Sequence, residues 1–572
     1  MLYDIPARHE GALDSTVTRK EKKMKQNSKI KAQPLPFKAQ LTVRGMIIGG
    51  LGAVILTTSS MYVALKLGAL PWPIIFVALV SMFSLKALGH TNINEINVTH
   101  TAMSAGAMVA GGVAFTIPGL YMLDPAAEVD MLTLLLVVLG GVLTGLIATG
   151  IIHHHFIVEK ELPYPMGQAA ADTLIIGDEG GKKSKTLFSA FGASAAFTFL
   201  RDKLLWIPQT VPVSSGLINA GVAAFVWLSP MLLAVGYIIG PLYIFVWFLG
   251  ALIGDLGVVV GGVSAGWWDL ATASAVKTSL GIGVMVGCGA GIVVKGILPA
   301  AGEMIRNMLK SNSGSAMNIR IVPFVLAACA LLFTLGAGMS PLAGILTIVG
   351  VWLACSMSAQ VVGQSGINPM EVFGVIVLLL IQLVAKLPQS QAFFVAAAVA
   401  VGCGLAGDVM NDFKAGHLLK SDPKAQWTAE CLGGLIGAFV SVGVFYVVLR
   451  AYGPEAFGPD KMFPAPQAGM VAAMVGGIPH MSSFIAGCIA GLVLYLLKLP
   501  VMTLGLGIYL PFYLSLTAML GGLLKYLTDR FAPKFAQSGL GDIIAPGLLG
   551  GEAVVGVILA LYQAFSGMAS IG

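Results

Sequence analysis

Two short polar segments interrupt a chain that is otherwise largely apolar: Gly89-His-Thr-Asn-Ile-Asn-Glu-Ile-Asn-Val-Thr and Gly363-Gln-Ser-Gly-Ile-Asn-Pro-Met-Glu-Val-Phe. Each carries Gly, a polar residue, Thr or Ser and then Ile-Asn, with a carboxylate close by at Glu95 or Glu371. Side-chain amides can hold the polar groups of a solute, and a carboxylate adds a group that binds and releases a proton. Matched polar segments in two halves of a membrane protein are the pattern of a carrier whose solute lies between the repeats. On this reading Asn92, Asn94, Gln364 and Asn368 are substrate-binding candidates, and Glu95 and Glu371 are candidates for a coupling proton. The structural alternative for the first segment is an N-cap, with Asn and Thr satisfying free amides at a helix start.

Ser59, Tyr62 and Lys66 recur at i, i+3 and i+7, so a helix puts them on one face. Lys66 there can pair with a substrate carboxylate, or simply extend its ammonium to the membrane interface. Glu552 sits inside the last apolar run between Gly551 and Ala553, where an ionised carboxylate is expensive. It is a third proton-carrier candidate, the alternative being a static interhelical hydrogen bond. Tyr509 and Tyr513 flank Pro511, as Tyr237 and Tyr243 flank Pro241, and tyrosine joins a flat apolar face to a hydroxyl suited to substrate contact. Asp255, Asp408 and Glu430 fall near the ends of apolar runs and read as interfacial. His153-His154-His155 does not read as a metal site, because successive residues on a helix point about 100° apart. No metal or other cofactor is expected.

The elements that must position these residues are membrane spans. Hydrophobic residues make up 57% of the 572 positions and charged residues 10%, far from the roughly 25% charged of a soluble domain. Apolar runs of the length that crosses about 30 Å of hydrocarbon follow one another through the chain. The expected fold is an all-α polytopic membrane protein with about sixteen transmembrane helices, in two pseudo-symmetric halves of about eight. The first set of spans is expected near 44–66, 71–89, 97–118, 131–158, 186–200, 211–228, 230–253 and 272–297. The second is expected near 319–337, 341–361, 369–386, 391–410, 429–450, 467–497, 500–524 and 545–567. Gly and Pro inside a span, as at Gly236–Pro241 and Gly505–Pro511, point to broken helices whose freed backbone groups are buried or line a cavity. The 72 glycines otherwise suit close helix packing, and the six scattered cysteines read as packing residues.

Residues 1–40 form a polar tail with Lys20, Lys22, Lys23, Lys25, Lys29 and Lys31, and no cleavable signal is expected there. The N-terminal half spans 41–305 and the C-terminal half 306–572. Basic loops around Lys160 and Lys182, around Arg306 and Lys310, and around Lys414 and Lys420 place both termini on the cytoplasmic side of a cytoplasmic (inner) membrane. The loop with Lys525, Arg530 and Lys534 disagrees, so the 467–497 segment is either miscounted or re-entrant. A net charge of +6, carried largely by tails and loops, gives no reason to expect nucleic acid as a partner. An intramembrane enzyme needs a nucleophile–base pair or a metal-ligand motif; His-Glu-x-x-His is absent and the lone Gly-x-Ser-x-Gly run, Gly262-Val-Ser-Ala-Gly266, has no His beside it, so an enzyme is not expected. The two halves differ in their polar residues, which argues against a channel filter repeated by symmetry.

Four segments together resemble the oligopeptide transporter (OPT) family: Asn92 to Gly106, Glu161-Leu-Pro-Tyr-Pro, Gly507-Ile-Tyr-Leu-Pro and Gly550-Gly-Glu-Ala. The similarity runs from about residue 40 to the C-terminus and looks like the prokaryotic branch, closer to yellow stripe-like members than to the eukaryotic peptide-transporting clade. The Asn-Pro-Gly and Lys-Ile-Pro-Pro-Arg signatures of that clade are missing; the nearest segment reads Asn368-Pro-Met. The resemblance implies a proton-coupled importer of small peptides, or of metal complexes of amino-acid-derived chelators, embedded in the lipid bilayer. It leaves room for a homodimer.

Overall fold

Where the apolar runs are free of Pro and charge, the chain folds into long helices. The computed structural model describes residues 35–67, 73–177, 182–292, 294–295, 315–365, 368, 370–459, 461–476 and 478–569. The principal helices begin with α1 (Val43–Leu67), α2 (Pro73–Ala87), α3 (Ile93–Ala114), α4 (Met131–His154), α5 (Pro165–Gly177) and α6 (Lys182–Asp202). After two short strands come α7 (Pro230–Ile239), α8 (Pro241–Ala251) and α9 (Leu270–Ile292). Then follow α10 (Val322–Leu331), α11 (Pro341–Ser365), α12 (Met370–Val384), α13 (Gln389–Leu419) and α14 (Pro423–Tyr452). The chain closes with α15 (Pro466–Gly476), α16 (Met481–Leu496), α17 (Val501–Tyr509), α18 (Phe512–Phe531) and α19 (Leu540–Ala569). Among the described residues, 8 helical spans are long and apolar enough to cross a bilayer, with shorter apolar helices beside them. The chain is a helical, multi-pass membrane protein.

Four expected spans take a different form. Residues 211–228 are not a helix: β1 (Thr210–Pro212) pairs antiparallel with β2 (Phe225–Trp227), and a short helix, Ser215–Asn219, lies between them. Pro208 and Pro212 deny the amides a continuous helix needs, and β-branched Val211, Val213 and Val226 favour extended backbone. The expected 230–253 span breaks at Gly240, whose φ of 89° lies in the left-handed region, and restarts at Pro241. The 500–524 span breaks at extended Leu510 and restarts after Pro511. Proline starts a helix well because its missing N–H would be unpaired there anyway. The 467–497 segment is likewise two helices, and α15, with 11 residues, rises only about 16 Å.

The two broken helices pack on each other. Gly236 meets the backbone of Ala518, Gly521 that of Leu233, Gly250 that of Leu504 and Gly507 that of Trp247. A methyl group at any of these positions would collide with a carbonyl oxygen. Lipid supplies no hydrophobic drive between helices, so this close approach is what holds them together.

At the centre stands α13, with 31 residues, whose apolar span is buried along its whole length by α3, α4, α5, α11 and α12. Three neighbouring helices run in the same direction. Gly45 and Gly49 of α1 lie against Thr99 and Ala102 of α3, and Gly106 lies against Ala53 and Thr57. Gly433 and Gly437 of α14 face Ala102 and Gly106 in turn. This parallel set provides a depth scale: Arg44 and Lys66, at opposite ends of α1, stand about 33 Å apart along the helix.

Candidate functional site

The Lys66 end of α1 is ringed by aromatic side chains. Its ammonium lies 5.2 Å from the Phe463 ring centre, 5.5 Å from Trp227 and 6.0 Å from Tyr62. The Met462 thioether is its near polar neighbour, at 3.6 Å. Among the described residues no carboxylate pairs with it. Tyr62 meets Phe463 edge to face, and Tyr513 stands edge to face on Trp227 at 6.3 Å, so Tyr62 and Tyr513 both belong to this box. The strand ending in Trp227 is fixed by a bond from its amide to the Thr517 hydroxyl, 2.9 Å.

Behind the box sits Glu552, 2% exposed and fully bonded. It accepts from the Ser229 hydroxyl at 2.9 and 3.0 Å, from the Met231 amide at 2.8 Å and from Arg201 at 2.9 Å. The sequence places Glu552 alone in an apolar run; the structure gives it a cation and the N-terminus of α7. Arg201 also grips Asp202 with two bonds of 2.7 Å and donates to the Leu228 carbonyl at 2.6 Å. Its guanidinium carbon lies 5.5 Å from the Trp227 ring centre. One aromatic ring thus borders both cations. No motif marks Arg201: its partner Glu552 is 351 residues away in the chain.

The polar segment at Asn92 lies at the other end of α1. Asn92 caps α3, accepting from the Glu95 amide at 2.8 Å and donating to Ala39 O at 3.0 Å. Glu95 binds Arg44 at 2.7 Å through both oxygens, with Thr42 at 2.6 Å and Thr91 at 2.7 Å. Asn94 accepts from Ser421 at 3.4 Å. The structure therefore does not bring Asn92, Asn94 and Glu95 together with Tyr62 and Lys66.

The second polar segment meets the middle of α13. Asn368 donates to Cys403 O and Gly404 O at 3.0 and 3.1 Å and accepts from Ser358 at 2.8 Å. Ser421 lies beyond the end of α13, so Asn94 and Asn368 are about 25 Å apart in depth. Glu371 is buried in the first turn of α12 without an ion pair among the described residues. The side chain of Gln364 lies outside the described residues. Tyr509 ends α17 and packs on Gly281 and Gly469. His153 stacks on Phe413 at 4.6 Å, and His155 pairs with Glu159 at 2.6 Å.

Asp408 and Glu430, read as interfacial, are instead deep in the core. The reason is length: α13 runs on to Leu419 and α14 starts at Pro423, so both helices exceed the hydrocarbon thickness and both acids lie well inside them. Asp408 accepts from Ser104 at 2.5 Å. One turn on, Asp412 is fully buried, with His100 at 3.6 Å and Glu430 beside it, one turn from Gln426, which donates to Asp412 O at 2.8 Å. Asp412 and His100 escaped the sequence reading because what gathers them is a three-helix crossing. Asp255, the third acid read as interfacial, is buried as well and pairs with Lys277 at 2.7 Å.

A family profile described as OPT oligopeptide transporter protein matches residues 40–563. The chain belongs to the OPT family. A relative described as an oligopeptide transporter of Haemophilus influenzae is 26% identical over 602 aligned positions, covering 88% of this chain and 93% of that protein. A protein of Oryza sativa described as a metal-nicotianamine transporter is 25% identical over 171 residues, 26% of this chain and 24% of its own. One of Arabidopsis thaliana with the same description is 25% identical over 171 residues, 26% of this chain and 23% of its own. As an OPT member the chain is a transporter.

Proposed function

We propose that this OPT protein is a secondary active, proton-coupled importer of small peptides across the cytoplasmic membrane, with Lys66 receiving the peptide carboxylate. The observation that carries the reading is an ammonium held in an aromatic box with no carboxylate bonded to it among the described residues. The rings offer apolar and cation–π surface to the rest of the ligand. Tyr62 and Tyr513 are the proposed contacts in the box. Asn92, Asn94 and Asn368 would have to exchange bonds within the protein for bonds to substrate.

Charge balance supports coupling. Lys66 and Arg201 offset Asp202 and Glu552, so a substrate carboxylate arriving at Lys66 adds one uncompensated negative charge in a buried place. A proton on Glu552 cancels it, and by linkage each ligand then favours the other. Glu95, Glu371 and Glu552 are the proposed proton carriers, and the lysine-rich loops support termini on the cytoplasmic side.

A second reading, import of metal–chelator complexes, is favoured by the relatives described as metal-nicotianamine transporters. Such chelates also carry carboxylates, and Lys66 would serve both. Uptake of labelled trialanine and of iron–nicotianamine by proteoliposomes under an imposed proton gradient separates the two: accumulation of one above equilibrium, and not of the other, names the substrate class.

A further inference from the structure

The helix at the centre of the protein carries two carboxylates that the substrate box does not use. Asp412 and Glu430 are both 0% exposed, none of their four carboxylate oxygens has a hydrogen-bond partner among the described residues, and the nearby Ser104 hydroxyl is given to Asp408. Gln426, one turn before Glu430 on α14, donates to the Asp412 carbonyl at 2.8 Å, which sets the two carboxyl groups side by side. His100, also 0% exposed, directs Nε2 toward Asp412 Oδ1 at 3.6 Å and toward Ile74 O at 3.1 Å, and its Nδ1 has no partner. One turn away Asp408 is bonded to Ser104.

The charges that could balance this group are few. α3 brings His100, with Glu95 held by Arg44 nearer its start; α13 brings Asp408 and Asp412, with Cys403 before them and Lys414, bonded to Leu162 O at 2.8 Å, and His417 after; α14 brings Glu430 and the Cys431 thiol, with Lys424 in its first turn. α1 has no titratable side chain between Arg44 and Tyr62, α2 none before Lys86, and α4 none before His153. α11 offers Cys355 and α12 offers Glu371, while the Asp172 side chain of α5 lies outside the described residues. Among the described residues no Lys or Arg bonds Asp408, Asp412 or Glu430. Two ionised carboxylates side by side in such a place repel each other without compensation, and a shared proton removes the repulsion while completing an O–H···O bond.

The geometry points to a proton-binding station at Asp412 and Glu430, flanked by His100 and Asp408, set apart from the Lys66 box and used in coupling. The inference rests on the proton-coupled reading for its use, and on geometry alone for its existence. Loading forms one O–H bond on either carboxyl as an O–H bond of hydronium on the proton-rich side breaks. The pair then carries one negative charge instead of two, and release to the other side reverses the step. By the depth scale of α1, α3 and α14, the station lies about 10 Å inside the start of α14 and on the order of 30 Å from Lys66. It therefore stands between the level of Glu95 and that of Glu552.

The test is infrared difference spectroscopy on reconstituted protein at neutral pH. Wild type minus Asp412→Asn, and wild type minus Glu430→Gln, should each show a carboxylic-acid C=O band that shifts on deuteration; wild type minus Glu95→Gln should not share it. Glu430→Asp, compared at a matched gel-filtration profile, should keep the band and guards against a folding artefact. A flat carboxylic-acid region in both station difference spectra overturns the proposal. Loss of the band when sodium replaces choline at constant pH overturns it in favour of a sodium site. In the same vesicles, Asp412→Asn and Glu430→Gln should lose gradient-driven trialanine accumulation and keep counterflow; retained accumulation excludes a role in coupling. If wild type does not accumulate trialanine, the peptide reading fails while the spectra still decide the site.

Discussion

Arg201 takes the carboxylates of both Asp202 and Glu552, at 2.7 and 2.9 Å, and so leaves Lys66 with neither. The ammonium is bordered instead by three rings and a thioether. On the proposed reading, this division of charge leaves Lys66 to receive an incoming carboxylate and Glu552 to answer that charge with a proton.

Lys66→Met should therefore discriminate between ligands that differ in one group. A charge-assisted hydrogen bond is worth about 1.5–3 kcal/mol, so transport of free-acid trialanine should fall about 10- to 100-fold. Transport of trialanine amide should change little. Equal losses for acid and amide would assign Lys66 to folding or gating.

Arg201→Met tests the other half of the cluster. It leaves the buried Glu552 without its cation, and breaking a buried pair from one side costs about 3–5 kcal/mol. A marked fall in the thermal unfolding midpoint in detergent is expected, partly restored in the Arg201→Met, Glu552→Gln double variant. An unchanged midpoint in the single variant would mean that the pair contributes nothing to the fold.

The proposed carriers are separated by neutral replacements. Glutamine keeps the hydrogen-bonding shape of a carboxyl but cannot ionise. The Glu95→Gln, Glu552→Gln double variant should lose pH-dependent, concentrative uptake and retain counterflow. Concentrative uptake surviving in that variant excludes both residues and leaves the Asp412–Glu430 station and Glu371, the latter buried without an ion pair among the described residues.

Much of the scaffold is legible from local chemistry. Long apolar runs became α1, α3, α4, α11, α13 and α14, and Gly240-Pro241 and Pro511 break their helices as dipeptide stereochemistry requires. The segment at 211–228 reads as a span because mean apolarity does not distinguish a span from a short sheet when proline and valine alternate. Lys66 and Tyr62 were legible as a shared helical face. The bond between Arg201 and Glu552, and the meeting of His100 with Asp412 and Glu430, are not legible, because Arg201 and Glu552, and His100 and the two acids, lie hundreds of residues apart. Helix length was the hidden variable for Asp408 and Glu430: a sequence cut at about 20 residues per span puts both acids at the membrane surface.

Transport by the protein itself decides the central claim. Purified protein in proteoliposomes, loaded at higher pH inside an acidic bath, should accumulate labelled trialanine above its external concentration, and a protonophore should abolish the excess. Equilibration to the external concentration with the gradient intact, or accumulation that a protonophore leaves unchanged, would contradict proton-coupled peptide import.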